Sequence, residues 1–260
     1  MLRERLLEWR ADRSLAHIVP LATLLLIGLL GELFLPQIGF FRDHSELAWW
    51  RRRPEYVLLI VEASFISGLL LFFRRHYEFT LSRHIVTGAV MGVIGIAFWI
   101  LPTHLYDVWG FSENPEGVLK WFGVQERREG FDAKVFSEGS LAYYGIICVR
   151  FWRAVVVVSL AEELFWRSFL MRYLLDRNGP RDRFWSLPFG QGSVVSYGVV
   201  TLLFVLAHAP VDYCGAFIYG SLAYYLTVKT RSLSAVVVMH AVANLLMGVY
   251  ALSFHKYGLW

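Results

Sequence analysis

Three ionisable side chains lie within one apolar segment of the sequence. The stretch SLAEELFWRSFL, residues 159–170, contains Glu162, Glu163 and Arg167. Glu163 and Arg167 are four residues apart with the acid first, the order that favours an ion pair on a helix. Glu162 points about 100° away from Glu163 on such a helix. We therefore expect Glu162 to be the carboxylate without a cationic partner.

Two later apolar segments each contribute a histidine. His208 ends the run Phe204-Val-Leu-Ala-His208, and His240 precedes Asn244 by four residues within VVVMHAVANLLMGV. The four-residue spacing places His240 and Asn244 on one face of a helix. Because helix bundles build their interior sites from side chains on facing helices, the three segments can direct these groups into a common cavity.

This set of side chains suits hydrolysis. A carboxylate removed from water, such as Glu162, is a suitable general base toward a water molecule, and His208 can hold that water or carry its proton. His240 and the amide of Asn244 can donate hydrogen bonds to an oxygen that becomes negative, as in an oxyanion hole. No nucleophilic serine or cysteine is required.

The elements that must position these residues are membrane helices. Of the 260 residues 57% are apolar and 18% are charged, whereas soluble domains average about 45–50% and about 25%. Apolar stretches long enough to cross a bilayer occupy residues 16–38, 56–73, 85–103, 140–175, 193–211, 213–228 and 232–254. We predict an all-α, polytopic integral membrane helix bundle with seven transmembrane helices, or eight if the fourth stretch breaks near Arg150 and Arg153.

The chain reads as one bundle with two regions. Residues 1–139 hold three spans and a hydrophilic loop, 105–139, while residues 140–260 hold the helices that carry the polar motifs. The link His208-Ala-Pro-Val-Asp212 is so short that the helices on either side of it must be neighbours. The distribution of Lys and Arg over the loops favours a cytoplasmic N-terminus.

The charge and the cysteine content argue against a nucleic-acid-binding protein and against a disulfide-rich or thiolate-metal protein. The net charge is only +4, and the Lys and Arg residues are scattered over loops, which argues against a nucleic-acid-binding surface. Cys148 and Cys214 lie in different apolar segments, so neither a disulfide framework nor a thiolate metal site is expected.

At these residues the sequence resembles the CPBP family of intramembrane proteases, which includes the CAAX prenyl endopeptidases and many bacterial proteins linked to bacteriocin immunity. The family is marked by EExxxR, FxxxH and HxxxN motifs on successive membrane helices. The chain has all three, beginning at Glu162, Phe204 and His240. The resemblance covers about residues 140–252, and the first three spans match only in being hydrophobic helices.

The resemblance implies a metal-independent glutamic endopeptidase without a cofactor, in the cell membrane of a bacterium. On this resemblance, we expect Glu162 and His208 to activate water and His240 and Asn244 to stabilise the oxyanion. Glu163 and Arg167 would support the site. It further implies that the partners are the lipid bilayer and a peptide or protein substrate that is membrane-anchored or lipidated. It does not specify whether that substrate is prenylated.

Three alternatives stay open on the sequence. Glu162, His208 and His240 could supply a zinc peptidase with one carboxylate and two imidazoles, although HExxH is absent. A membrane immunity or scaffold protein would keep the bundle without catalysis. A transporter could use Glu32 and Glu62, in the first two spans, for a proton relay.

Overall fold

The computed structural model describes residues 2–38, 48–79, 84–180 and 182–260. These residues form helices joined by turns and loops, and no β-strand occurs among them. The helices are α1 (Leu2–Ala11), α2 (Arg13–Phe34), α3 (Trp49–Arg52), α4 (Pro54–Phe73), α5 (Ile85–Val108), α6 (Val118–Trp121), α7 (Leu141–Leu175), α8 (Val194–Leu206), α9 (Tyr213–Thr230) and α10 (Leu233–Phe254). The all-helical architecture expected from the sequence is confirmed for these ranges.

Five of the described helices are long and apolar enough to cross a membrane: α2, α4 with the turn that follows it, α5, α7 and α10. The number of seven or eight spans is not confirmed. The apolar stretch 193–211 forms only the 13 residues of α8, because the chain turns before Pro210. Helix α9 has 18 residues, but its tyrosines, glycines and Lys229 make it less apolar than the other long helices.

Helix α7 is continuous through 35 residues, so the break near Arg150 and Arg153 that would have given an eighth span is absent. Two stretches of α7 are π-helical instead, Trp152–Val158 and Leu164–Leu170. Wider π turns occur mostly as local insertions in α-helices, often at functional sites. The second stretch begins directly after Glu163.

Many large apolar side chains are exposed along the spanning helices. On α2 these leucines are 43–53% exposed: Leu25, Leu26, Leu29, Leu30 and Leu33. Apolar surface of this extent is unusual on a soluble monomer and fits contact with lipid. The length and the apolar surface of these helices support an integral membrane protein.

The chain divides into two compact units. The first comprises residues 1–77 and 132–161 and contains α1 to α4 and the first part of α7. The second comprises residues 78–131 and 162–260 and contains α5, α6, the rest of α7 and α8 to α10. All six candidate site residues belong to the second unit.

In the second unit, α5 packs along α9 and α10 through glycines. A Cβ atom on Gly88 would lie 2.1 Å from the Ala235 carbonyl oxygen, and one on Gly92 would lie 2.5 Å from that of Met239. This G-x-x-x-G spacing lets membrane helices approach backbone to backbone. The contact places the α10 motif close to α5.

Serine caps begin the two helices that flank α9. Ser193 and Ser196 form a reciprocal capping box at the start of α8, and the Ser232 hydroxyl accepts a hydrogen bond from the Ala235 amide at the start of α10. Such caps satisfy backbone N–H groups that a helix start leaves unpaired.

Helices α8 and α9 pack against each other, as their short link predicts. Cys148 and Cys214 are both free thiols.

Candidate active site

The α7 motif forms a buried ion pair. Glu163 and Arg167 have fully buried side chains, and Arg167 Nε lies 3.4 Å from Glu163 Oε2. The Arg167 guanidinium lies over the Phe204 ring, 5.1 Å from its centroid. Its three nitrogens have no hydrogen-bond partner among the described residues. The Glu163 carboxylate and the Phe204 ring are therefore the contacts that offset the desolvation of the guanidinium.

Glu163 also binds the imidazole of the third motif. His240 Nδ1 lies 2.8 Å from Glu163 Oε1, and the contact is buried. Because a carboxylate only accepts hydrogen bonds, Nδ1 carries the proton and donates it. Glu163 thus joins α7 to α10 and fixes the orientation of the His240 ring.

His208 is held by its own helix end. Its Nδ1 atom lies 2.7 Å from the carbonyl oxygen of Phe204, which can only accept, so Nδ1 carries a proton here as well. The ring also packs against Trp99 and Phe204, with centroid distances of 5.3 and 4.6 Å. In the neutral ring, this arrangement leaves the lone pair of Nε2 as the free acceptor.

These groups border one cavity of about 190 Å³. The polar residues that line it are His208, Asp212, Tyr219, His240 and Asn244, while its apolar wall is formed by Ile96, Trp99, Phe204, Ala243, Met247 and Leu259. The second and third motifs therefore meet in space, although 32 residues separate His208 from His240 along the chain.

Glu162 and Glu163 differ in how they relate to this cavity. Glu163 acts through its contact with His240, and neither glutamate lines the cavity. Glu162 is half-buried and directly precedes Glu163 on α7. Its Oε2 atom is buried, with no hydrogen-bond partner in the described parts of the chain.

Sequence reasoning missed Tyr219. Its side chain is 3% exposed, and its ring meets His240 edge-on at a centroid distance of 5.7 Å. The hydroxyl has no partner within the described ranges, so it is a hydrogen-bond donor available to the cavity. The signal was weak because α9 contains other tyrosines, and only the packing distinguishes this one.

Sequence reasoning also missed a polar network beside His208. Asp212 accepts two hydrogen bonds of 3.0 Å from Arg127 Nη2 and one of 3.2 Å from Trp99 Nε1. Arg127 Nε donates to the Gly258 carbonyl oxygen at 3.0 Å. The network connects the loop before α7, the link after α8 and the C-terminal turn to the Trp99 ring that packs on His208.

Comparison with known families gives a match over the C-terminal part of the chain. Residues 145–246 match the model of the family described as type II CAAX prenyl endopeptidase Rce1-like, so this part of the chain is similar to that family. The family is a protease family and suggests intramembrane protease activity of the CAAX type. The match contains all three motifs and confirms the resemblance inferred from them. Neither the curated proteins nor the solved structures gave a significant match.

Proposed function

We propose that the protein is an intramembrane endopeptidase. It hydrolyses a peptide bond of a membrane-anchored or lipidated substrate with a water molecule activated by Glu162 and His208. The observation that carries the proposal is the common cavity, where a proton-accepting imidazole and a carboxylate-bound imidazole face the same small volume. The family match adds the class of reaction.

His208 has the geometry of a proton acceptor. Because its Nδ1 proton is bound to the Phe204 carbonyl oxygen, the unprotonated Nε2 is the atom left to hold a water molecule. Glu162 and His208 together would remove a proton as the water oxygen attacks the carbonyl carbon. The same proton is then available to the leaving amine, so the hydrolysis balances without another reactant.

His240 and Asn244 form the proposed oxyanion site. With Nδ1 bound to Glu163, His240 can donate from Nε2 when the ring carries a positive charge. The Glu163 carboxylate stabilises that charge, and the Asn244 amide offers a second donor from one turn further along α10. Donors fixed before the reaction stabilise a developing oxyanion without reorganisation at the moment of attack.

The roles of Glu163 and Arg167 are to support the site. Arg167 holds one oxygen of Glu163 while the other oxygen orients His240. Neither residue needs to touch the substrate. By the resemblance to bacterial proteases, we place the protein in the cell membrane of a bacterium, where the bilayer would deliver an anchored substrate.

The test is cleavage in proteoliposomes. A fluorogenic peptide with a prenylated C-terminal CAAX sequence and the same peptide without the lipid are offered to the purified protein. We expect Glu162→Gln and His208→Ala each to lower kcat/KM by about 10²–10⁴, the range of general acid–base catalysis. Glu113→Gln, at an exposed loop carboxylate, is the matched control and should cleave normally. Full activity of Glu162→Gln would end the proposed mechanism.

Zinc chemistry is separated by a second measurement. Within the described residues, no group of three His, Cys, Asp or Glu side chains has the spacing of a metal site. We therefore expect activity to survive strong chelators, with no stoichiometric zinc by elemental analysis. Chelator-sensitive activity restored by zinc would favour the metallopeptidase. The natural substrate can be captured on Glu162→Gln and identified by mass spectrometry.

A further inference from the structure

A second polar cavity lies in the first unit, and none of the candidate catalytic residues lines it. Its volume is about 450 Å³. It is formed by the C-terminal half of α2, the first three turns of α4 and the first part of α7. The charged residues that line it are Glu32, Glu55, Glu62, Arg150 and Arg153.

The deepest charged group of this cavity is incompletely bonded. The Glu62 side chain is 5% exposed, and its Oε2 atom binds Arg153 Nε. Its Oε1 atom is buried and has no hydrogen-bond partner in the described parts of the chain. Glu62 is eight residues beyond Pro54, so it lies about 12 Å along α4, at a depth where an unsatisfied carboxylate oxygen is unfavourable.

The charges of the cavity are of both signs. Glu32 and Glu55 add two exposed carboxylates to that of Glu62, and Arg150 and Arg153 supply two guanidinium groups. The two arginines are three residues apart on α7 and so lie on the same side of the helix. A ligand that complements this arrangement carries a positive and a negative group together.

The remaining wall of the cavity is apolar. Leu35, Leu58 and Leu59 line it beside Gly28 and Gly31, and α2 carries exposed leucines along the same turns, among them Leu29 and Leu33. The volume is also far larger than the ~30 Å³ share of one water molecule. The site therefore suits the head group of an amphiphile whose chains follow α2.

We propose that this cavity binds the head group of a zwitterionic phospholipid that has a primary ammonium, as in phosphatidylethanolamine. The ammonium donates to Glu62 Oε1 and faces Glu32 and Glu55, while the phosphate lies beside Arg150 and Arg153. The choice of a primary ammonium follows from the orphaned acceptor, because a trimethylammonium has no N–H group to donate.

The test compares lipids that differ only in this group. The full-length protein is titrated in detergent with dioleoylphosphatidylethanolamine or dioleoylphosphatidylcholine, and binding is read by native mass spectrometry and by the shift in Tm. We expect the ethanolamine lipid to bind at least about tenfold more tightly, as one charge-assisted hydrogen bond implies. Equal binding of the two lipids would overturn the proposal.

Soluble phosphoethanolamine distinguishes a lipid from a free head group. Competition at millimolar concentration supports recognition of the head group itself, and binding of the lipid without such competition supports a site that also needs the chains. Binding of phosphoethanolamine without any binding of the lipid would contradict the assignment to a membrane lipid.

Variants locate the site. Glu62→Gln should abolish the preference for ethanolamine over choline. Because it leaves Arg153 without its carboxylate, the double variant Glu62→Gln/Arg153→Gln, which restores the charge balance, should show the same loss of preference in a folded protein. Glu113→Gln is the control and should keep it. A preference that persists in both Glu62 variants would refute this location.

Discussion

The buried pair of Glu163 and Arg167 permits a quantitative test of what stabilises the centre of the second unit. Replacing Glu163 by alanine leaves the Arg167 guanidinium fully buried, over the Phe204 ring and without its carboxylate partner. Breaking a buried ion pair by removing one partner costs about 3–5 kcal/mol. With about 2–4 °C of Tm lost per kcal/mol in a chain of this size, Glu163→Ala should lower Tm by about 6–20 °C.

Removing both charges should cost much less. In Glu163→Leu/Arg167→Met no charge is left unpaired, and well-packed apolar substitutes for a buried pair are often neutral or stabilising. The double variant should therefore be more stable than Glu163→Ala, while its activity stays low because His240 has lost its acceptor. That separation of stability from activity distinguishes an orienting role of Glu163 from a purely structural one.

Thermal unfolding in detergent, followed by tryptophan fluorescence, measures the Tm of both the single and the double variant. The matched control is the exposed pair of Glu126 and Arg128, 2.9 Å apart with side chains 42% and 72% exposed. Breaking that pair with Arg128→Ala should cost less than about 1 kcal/mol. If Glu163→Ala costs no more than this control, the reasoning about buried charge at this site is refuted.

Three further predictions concern the candidate active site and its framework. Asn244→Ala should lower kcat by about 10²–10³, the cost of losing one oxyanion donor, and an unchanged kcat would contradict that role. Tyr219→Phe should keep or raise Tm because it deletes a buried hydroxyl without a partner, and a lower kcat/KM in the same variant would show that the hydroxyl serves the reaction. Gly92→Ala should lower Tm because its Cβ would lie 2.5 Å from the Met239 carbonyl oxygen. Gly68→Ala, where nothing lies within 4 Å, is the control for unfolding scans and should leave Tm unchanged or higher.

The polar motifs were predictable because polar residues are rare in apolar segments. Glu162, Glu163, Arg167 and His240 are conspicuous there, and the four-residue spacing predicts the ion pair that the structure contains. The partnership of Glu163 with His240 was not predictable. This contact depends on how α7 and α10 pack. The two residues are 77 positions apart, so the sequence around either of them does not indicate the other.

The number of spans was harder to predict for a related reason. Apolar composition marks residues 193–211 as a span, but the backbone turns before Pro210 and leaves a helix of 13 residues. Arg150 and Arg153 suggest a break in α7, whereas the helix continues through Arg150 and includes Arg153 in a π-helical stretch, and the Glu62 carboxylate on α4 pairs with Arg153. A hydropathy profile averages the apolar character of residues along the sequence. It therefore contains no information about ion pairs between helices.

If the protein acts as proposed, the length of α7 bears on where in the bilayer its substrate would be cut. Thirty-five residues extend about 52 Å, whereas a helix tilted by 40° needs only about 26 residues to traverse a 30 Å hydrocarbon layer. About nine residues must then project into the head-group region, and the C-terminal end, which carries Arg172, is the end suited to do so. Glu162 would then lie only about one turn below the hydrocarbon boundary. A peptide tethered by a lipid at the membrane surface could reach that depth without a membrane-spanning helix of its own having to unwind.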